Sequence, residues 1–276
     1  MNTLASRFSR NAVVLRSDHP LTNDEIAEVA PSVLANAAHE SRSARYSYIP
    51  TVDVLDALRK EGFQPFMVCQ TRVRNDDMRE YTKHMLRLRH ADQITDTREA
   101  NEVILLNSHN GASSYQMIAG MIRWACQNGI VCGNDLSDIR IPHKGDVIGQ
   151  VVEGAFKVLK SFDETAQQRE GMAATVLDEG EQVAFARAAL TLRYDEDKPA
   201  PVTERQLLAP RRIEDRAPDL WTTFNRVQEN MIRGGLHGRN ASGRTTTTRA
   251  VTGIDQNIRL NRALWVLADE LRRLRG

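Results

Sequence analysis

Three arginines recur at intervals of five in GGLHGRNASGRTTTTRAV, residues 234–251: Arg239, Arg244 and Arg249. Threonines 245–248 fill the gap between the last two. Guanidinium forks and hydroxyls together are the donors that hold phosphate oxygens, the forks in bidentate pairs. No carboxylate lies within the stretch to compete for them. Gly234, Gly235, Gly238 and Gly243 make it too flexible for a helix, and its hydroxyls make it too polar for a buried strand. It is expected to be an exposed loop or ribbon, poorly ordered until a ligand supplies charge-assisted bonds.

The same chemistry appears twice more. In HESRSARYSYIP (39–50), Arg42 and Arg45 interleave with Tyr46 and Tyr48. A tyrosine ring stacks on a base while a neighbouring arginine holds the phosphate. The alternative is a plain strand entering a sheet, which suits Tyr48 beside the apolar "IP". Farther on, FMVCQTRVR and EYTKHMLRLRH alternate with period two about the polar NDDMR, the pattern of a β-hairpin. A loop over 75–79 sets Phe66 opposite Leu88, Val68 opposite Leu86, Met67 opposite Arg87, Thr71 opposite Lys83 and Val73 opposite Tyr81. One face, with Phe66, Val68, Leu86 and Leu88, is then apolar. The other carries Lys83, Arg87 and Arg89 with Thr71 and Tyr81, and is expected to face solvent or a single strand.

Catalytic patterns are absent. There is no GxxxxGK[ST] loop, no GxGxxG after a strand, no GxSxG and no HExxH. The seven histidines show no zinc-ligand spacing, and Glu40, Asp53, Glu102, Asp135, Asp138 and Asp146 are scattered singly. Cys126 meets His109 or His143 only if the tertiary fold brings them together. His143 and Lys144 precede a helix start, where they form either an anion site or, with Asp146 in the first turn, an ordinary helix entry. No cofactor and no metal are expected, and no residue is assigned a catalytic role.

These residues need a scaffold. LTNDE (21–25) carries a capping box, Thr22 with Glu25, opening a helix to about Ala30. A second helix is expected from Thr51, as N-cap, to Gly62. Strands follow in the hairpin, EVILLNSH, ASSYQMI, IVCG and IRIPH, with AGMIRWACQNG expected as a short helix among them. From Gly145 the pattern is helical, with further helices near 179–193, 203–209, 219–233 and 257–274. Leu260, Leu264, Leu267, Leu271 and Leu274 form a short seam on the last. The fold class is α+β: a mostly antiparallel sheet from the N-terminal half packed with helices, then a helical C-terminal half. Residues 1–276 are expected to form one domain, sheet-rich over 1–142 and helical over 143–276.

A net charge of +1 over 276 residues conceals an imbalance. Residues 161–200 hold nine acids and four bases; residues 211–276 hold thirteen arginines, no lysine and seven acids. The acidic segment suits a protein partner or an intersubunit contact with the arginine-rich end. Three cysteines without CxxC spacing, no long apolar run and no signal-like N-terminus lead to the expectation of a cytoplasmic protein with no membrane association.

The words HESRSARYSYIPT, GFQPFMVCQTRVR, YTKHMLRLR, ILLNSHNGASSYQM, CQNGIVCG, PHKGDVI, GGLHGRN, TRAVTGID and LNRALWV resemble uncharacterised protein family 0380, within domain-of-unknown-function group 932. The resemblance spans about Leu4 to Ala268 and is weakest over 171–201. It implies a plasmid- or prophage-encoded protein of a mobile genetic element, and it carries over no catalytic residue. The order of helix, antiparallel strands and long helix is also similar to single-strand annealing proteins such as the phage Red beta recombinase, a likeness of fold alone. The expected function is single-stranded nucleic-acid binding, DNA favoured, supporting annealing or recombination. Its site is Arg42, Arg45, Tyr46, Lys83, Arg87, Arg89, Arg239, Arg244 and Arg249, with a homo-oligomer as a further expectation. Two alternatives are an interaction protein that blocks a host defence or restriction factor, and a metal-dependent enzyme acting on nucleic acid.

Overall fold

The structure is a computed structural model that describes residues 12–37, 48–73, 75–93, 99–111, 113–126, 128–133, 138–194 and 199–276. It has the α+β class expected, antiparallel strands first and helices after. The chain gathers into two compact units. One comprises residues 1–130, 134–162 and 252–254; the other comprises 131–133, 163–251 and 255–276.

The first unit is built on a curled sheet in which strands neighbour in chain order: β1 (Ala12–Arg16), β2 (Phe63–Thr71), β3 (His84–His90), β4 (Glu99–Asn107), β5 (Tyr115–Arg123) and β6 (Asn128–Val131), with β7 (Ile139–Ile141) also on β5. Helix α1 (Asn23–Val29) starts with the expected Thr22–Glu25 capping box. Helix α2 (Thr51–Lys60) starts at Thr51, but Pro50 is its N-cap, which releases the Thr51 hydroxyl for another use.

The β2–β3 register holds at its centre, Met67 opposite Arg87 and Val68 opposite Leu86. It departs at Phe66. A bulge between Pro65 and Met67 sets Pro65 opposite Leu88, as expected where a proline cannot donate to the ladder. Phe66 therefore turns to the other face, where Arg89 Cζ lies 4.1 Å from its ring centroid. The connection is also longer than expected. The strands stop at Thr71 and resume at His84, and Asp76–Tyr81 form a 3-10 turn, so Val73 and Tyr81 are not a strand pair.

The segment expected as a helix at AGMIRWACQNG is instead the second half of β5 followed by β6. Ile118, Ala119, Met121 and Ile122 are all buried and pair with β4. A strand covered on both faces reads as a continuous apolar run, which periodicity does not separate from a helix.

Helix α3 (Val147–Lys160) buries Val147, Val151, Ala155 and Val158 over the sheet. At Gly154 a Cβ would lie 2.9 Å from Met117 Sδ and 3.3 Å from Ile139 Cγ2, so a bare backbone sets how closely α3 approaches β5 and β7.

In the second unit, α4 (Phe162–Ala174), α5 (Glu179–Thr191), α6 (Glu204–Leu208), α7 (Leu220–Arg233) and α8 (Ile254–Leu274) accompany a two-stranded ribbon, β8 (His237–Arg239) and β9 (Thr245–Thr247). The core of this unit holds Trp221 stacked on Phe224 at 5.5 Å, with Trp265 edge-on to both and its Nε1 donating to Gln168. The buried line of α8 runs through Ile258, Asn261, Leu264, Trp265 and Ala268, whereas Leu274 is 83% exposed. The leucine seam is thus only half used. Part of the acidic segment meets the arginine-rich end within this same unit, Arg275 Nε lying 3.4 Å from Glu181 Oε1.

Candidate functional site

The basic sheet face expected from the hairpin is a buried ion cluster. Arg87 and Arg89 are 2% and 3% exposed. Arg87 Nη1 donates to Glu102 Oε2 at 3.0 Å, and Arg89 donates to Oε1 through Nε at 3.1 Å and Nη2 at 3.0 Å. The site assignment of Arg87 and Arg89 is corrected on this ground: β6 and its hairpin cover the face. Arg87 also donates to the Ile130 carbonyl, and a Cβ on Gly129 would fall 2.3 Å from its Cζ. The Arg89 guanidinium lies between Phe66 and Trp124, 4.1 and 4.5 Å from the ring centroids. Burial, opposed by Glu102, lowers the Arg89 pKa. On the same face burial pushes the Cys69 thiol up to about 12, which makes it inert as a nucleophile. Lys83 is half-buried in the β2–β3 connection. Arg42, Arg45 and Tyr46 lie outside the described residues.

The opposite sheet face holds a polar cluster that motif searching missed. Thr51 Oγ1 lies 3.0 Å from His84 Nε2, 3.2 Å from His109 Nε2 and 3.2 Å from the Tyr115 hydroxyl, and it accepts from Asn107 Nδ2 at 3.0 Å. Ser32 Oγ meets His84 Nδ1 at 2.9 Å, and His143 Nε2 meets Asn107 Oδ1 at 3.1 Å. His84, His109, Thr51 and Asn107 are fully buried. Burial, then the neighbouring His109, lowers His84 to about 3; burial, then His143, lowers His109 to about 4. Burial lowers His143 as well. All three imidazoles are therefore neutral at ordinary pH and serve as hydrogen-bonding links among helix start, strands and loops. Among the described residues no three His, Cys, Asp or Glu side chains converge to hold a metal ion. His84 was legible as an inward position, two and four residues before Leu86 and Leu88; the gathering of Ser32, Thr51, His109 and His143 around it is tertiary.

The arginine stretch is an exposed antiparallel ribbon. His237 pairs with Thr247, Gly238 with Thr246 and Arg239 with Thr245. Asn240 closes the turn: its Oδ1 accepts from Ser242 N, Ser242 Oγ and Arg244 N at 2.8–3.1 Å, and Gly243 adopts φ 75°. The ribbon leans on α6 and the segment before it. Arg239 N donates to the Pro201 carbonyl at 3.0 Å, and Gln206 Nε2 to the His237 carbonyl at 2.7 Å. Gly238 faces Pro201 so closely that a Cβ would lie 1.7 Å from its carbonyl oxygen.

Two further arginines clamp the ribbon's ends. Arg193 donates to the carbonyls of Met231 and Arg249, and Arg211 donates to Asn230 Oδ1 at 2.7 Å and the Gly234 carbonyl at 2.9 Å. With its inner face occupied, the ribbon presents His237, Arg239, Thr245 and Thr247 outward, and Arg244 and Arg249 are exposed at its turn and its root. Strand alternation thus turns Arg239 away from Pro201, and its Nη1 donates to the Gly243 carbonyl at 2.8 Å across the exposed turn.

A family model described as a domain of unknown function (DUF932) matches residues 38–265. The chain is 56% identical over 271 residues to the UPF0380 protein YfjQ of Escherichia coli (strain K12), covering 98% of both chains. The same identity and coverage hold for the UPF0380 protein YafZ of that strain. No solved structure matches. Among the described residues no helix is long and apolar enough to cross a membrane.

Proposed function

We propose that this chain, which belongs to the DUF932 family, binds single-stranded nucleic acid through the ribbon of its second unit, as a protein of a mobile genetic element that supports strand annealing or recombination. The observation that carries this is the ribbon itself: Arg239, Arg244 and Arg249 exposed on a backbone held at both ends, in a stretch free of carboxylates. A mobile loop would lose conformational entropy on grasping phosphates; a docked ribbon has already lost it. Exposed Thr245 adds a neutral hydroxyl beside the cations, while the Thr247 hydroxyl meets His237 Nδ1 at 3.1 Å. The buried Arg87 and Arg89 take no part.

The test is to replace Arg239, Arg244 and Arg249 together with alanine and follow fluorescence anisotropy of labelled single- and double-stranded oligonucleotides at two salt concentrations. Loss of single-strand affinity is expected, with the log–log salt slope flattened by roughly 0.7 for each phosphate contact removed. Affinity and slope equal to those of the parent chain, with circular dichroism unchanged, would overturn the proposal and leave the ribbon as a surface for a protein partner.

A further inference from the structure

We infer that Tyr194 is a stacking site for one unpaired nucleobase, set beside the ribbon's root so that the adjoining phosphate falls to Arg249. The inference rests on the nucleic-acid function proposed above and adds what the arginines alone do not explain, a preference for single over double strands.

Tyr194 follows the C-terminal end of α5, where its backbone N–H still donates to the Leu190 carbonyl at 2.9 Å. Tyr194 is half-buried. The neighbouring Arg193 guanidinium lies 5.5 Å from its centroid and joins it to the ribbon, because the same guanidinium donates to the Arg249 carbonyl and to Met231. These acceptors are neutral carbonyls, so the Arg193 charge adds to that of exposed Arg249. An aromatic ring, a cation against it and an exposed arginine whose backbone carbonyl that cation holds supply the parts that proteins use to hold a single strand: the ring takes the base and the cations take the backbone. Inside a duplex the base is stacked and paired and does not reach such a ring, whereas a phosphate is equally available in both forms. A purely electrostatic ribbon would favour the duplex, whose charge density is higher.

The experiment compares the parent chain, Tyr194→Leu and Tyr194→Phe on two labelled probes of equal length, oligothymidylate and an abasic strand with the same phosphates. Tyr194→Leu is expected to weaken binding to oligothymidylate at least about fivefold, the lower end of what one base–aromatic stack contributes. It should leave the abasic affinity unchanged, and Tyr194→Phe should match the parent on both probes. Equal binding of oligothymidylate by the parent and Tyr194→Leu would overturn the inference and leave ribbon binding intact. An equal loss on both probes would also overturn it, by making Tyr194 a support of the ribbon. A parent chain that binds neither probe better than the triple-arginine variant would remove this inference and the proposed function together.

Discussion

Arg87 Nη1 and Glu102 Oε2 lie 3.0 Å apart with side-chain exposures of 3% and 0%. Glu102 takes a second guanidinium, Arg89, on its other oxygen. One carboxylate thus joins two cations across neighbouring strands in a space that β6 and its hairpin close from above. Removing it leaves both guanidiniums buried with their main acceptor gone.

Glu102→Gln is therefore expected to destabilise the first unit by about 3–5 kcal/mol, the usual consequence of stranding a buried charge. Equilibrium urea unfolding read at the β3 and β4 amides measures it. A change under about 1 kcal/mol would mean that water reaches the cluster and that the face opens in solution.

The histidine cluster gives a pH dependence with a definite sign. His84 and His109 are lowered to about 3 and about 4 from the usual imidazole value near 6.5. The unfolded chain thus takes up protons that the folded chain refuses. Their contribution is complete above pH 6.5 and is lost as pH falls through about 4 for His109 and about 3 for His84, at roughly 1.4 kcal/mol per pH unit for each histidine while it titrates. Urea titrations at pH 7.5 and 5.5 should show this drop at the β3 amides, and His84→Gln should show a shallower one. Equal slopes for the two chains would place the titration elsewhere.

Gly154→Ala tests how tightly α3 rests on the sheet. The added methyl would meet Met117 Sδ at 2.9 Å, and Met117 is itself fully buried. A loss of about 1–3 kcal/mol is expected from overpacking, against a gain of under 1 kcal/mol from helix propensity. Thermal melts that rise would show that Met117 swings aside without strain.

Local signals carried far in this sequence. The Thr22–Glu25 box, the tight pairing of Val68 with Leu86 and the helices after Gly145 follow from capping, alternation and 3.6-residue spacing, all of which act over a few residues. What failed was global. Period two places Arg87 opposite to Leu86, and it does lie on that other face, but the rule does not tell whether a later strand covers that face. Phe66 changed faces through a bulge at Pro65 that no hydrophobic pattern marks. Thr51 was assigned a cap because hydroxyls favour helix starts, and it serves histidines 33 and 58 residues away instead. The ribbon was legible as an exposed, arginine-bearing segment. Its clamps, Arg193, Arg211 and Pro201, come from distant parts of the chain and have no sequence signature.

That clamping leads to the last prediction. At Gly238 a Cβ would stand 1.7 Å from the Pro201 carbonyl oxygen, a backbone atom that has no rotamer with which to yield. Gly238→Ala must therefore lift the ribbon from its seat and break the 3.0 Å bond from Arg239 N to that carbonyl. The exposed arginines keep their charge and lose the seated backbone that carries them. Hydrogen exchange at the Arg239 amide should accelerate, while amides of α7, anchored by its own buried core, keep their protection. Single-strand affinity should fall, because the ribbon's ordering entropy is then lost on binding instead of on folding. Unchanged exchange at Arg239 would show that the ribbon does not rest on Pro201. Accelerated exchange with undiminished affinity would show that the docking does not prepare the arginines for a strand.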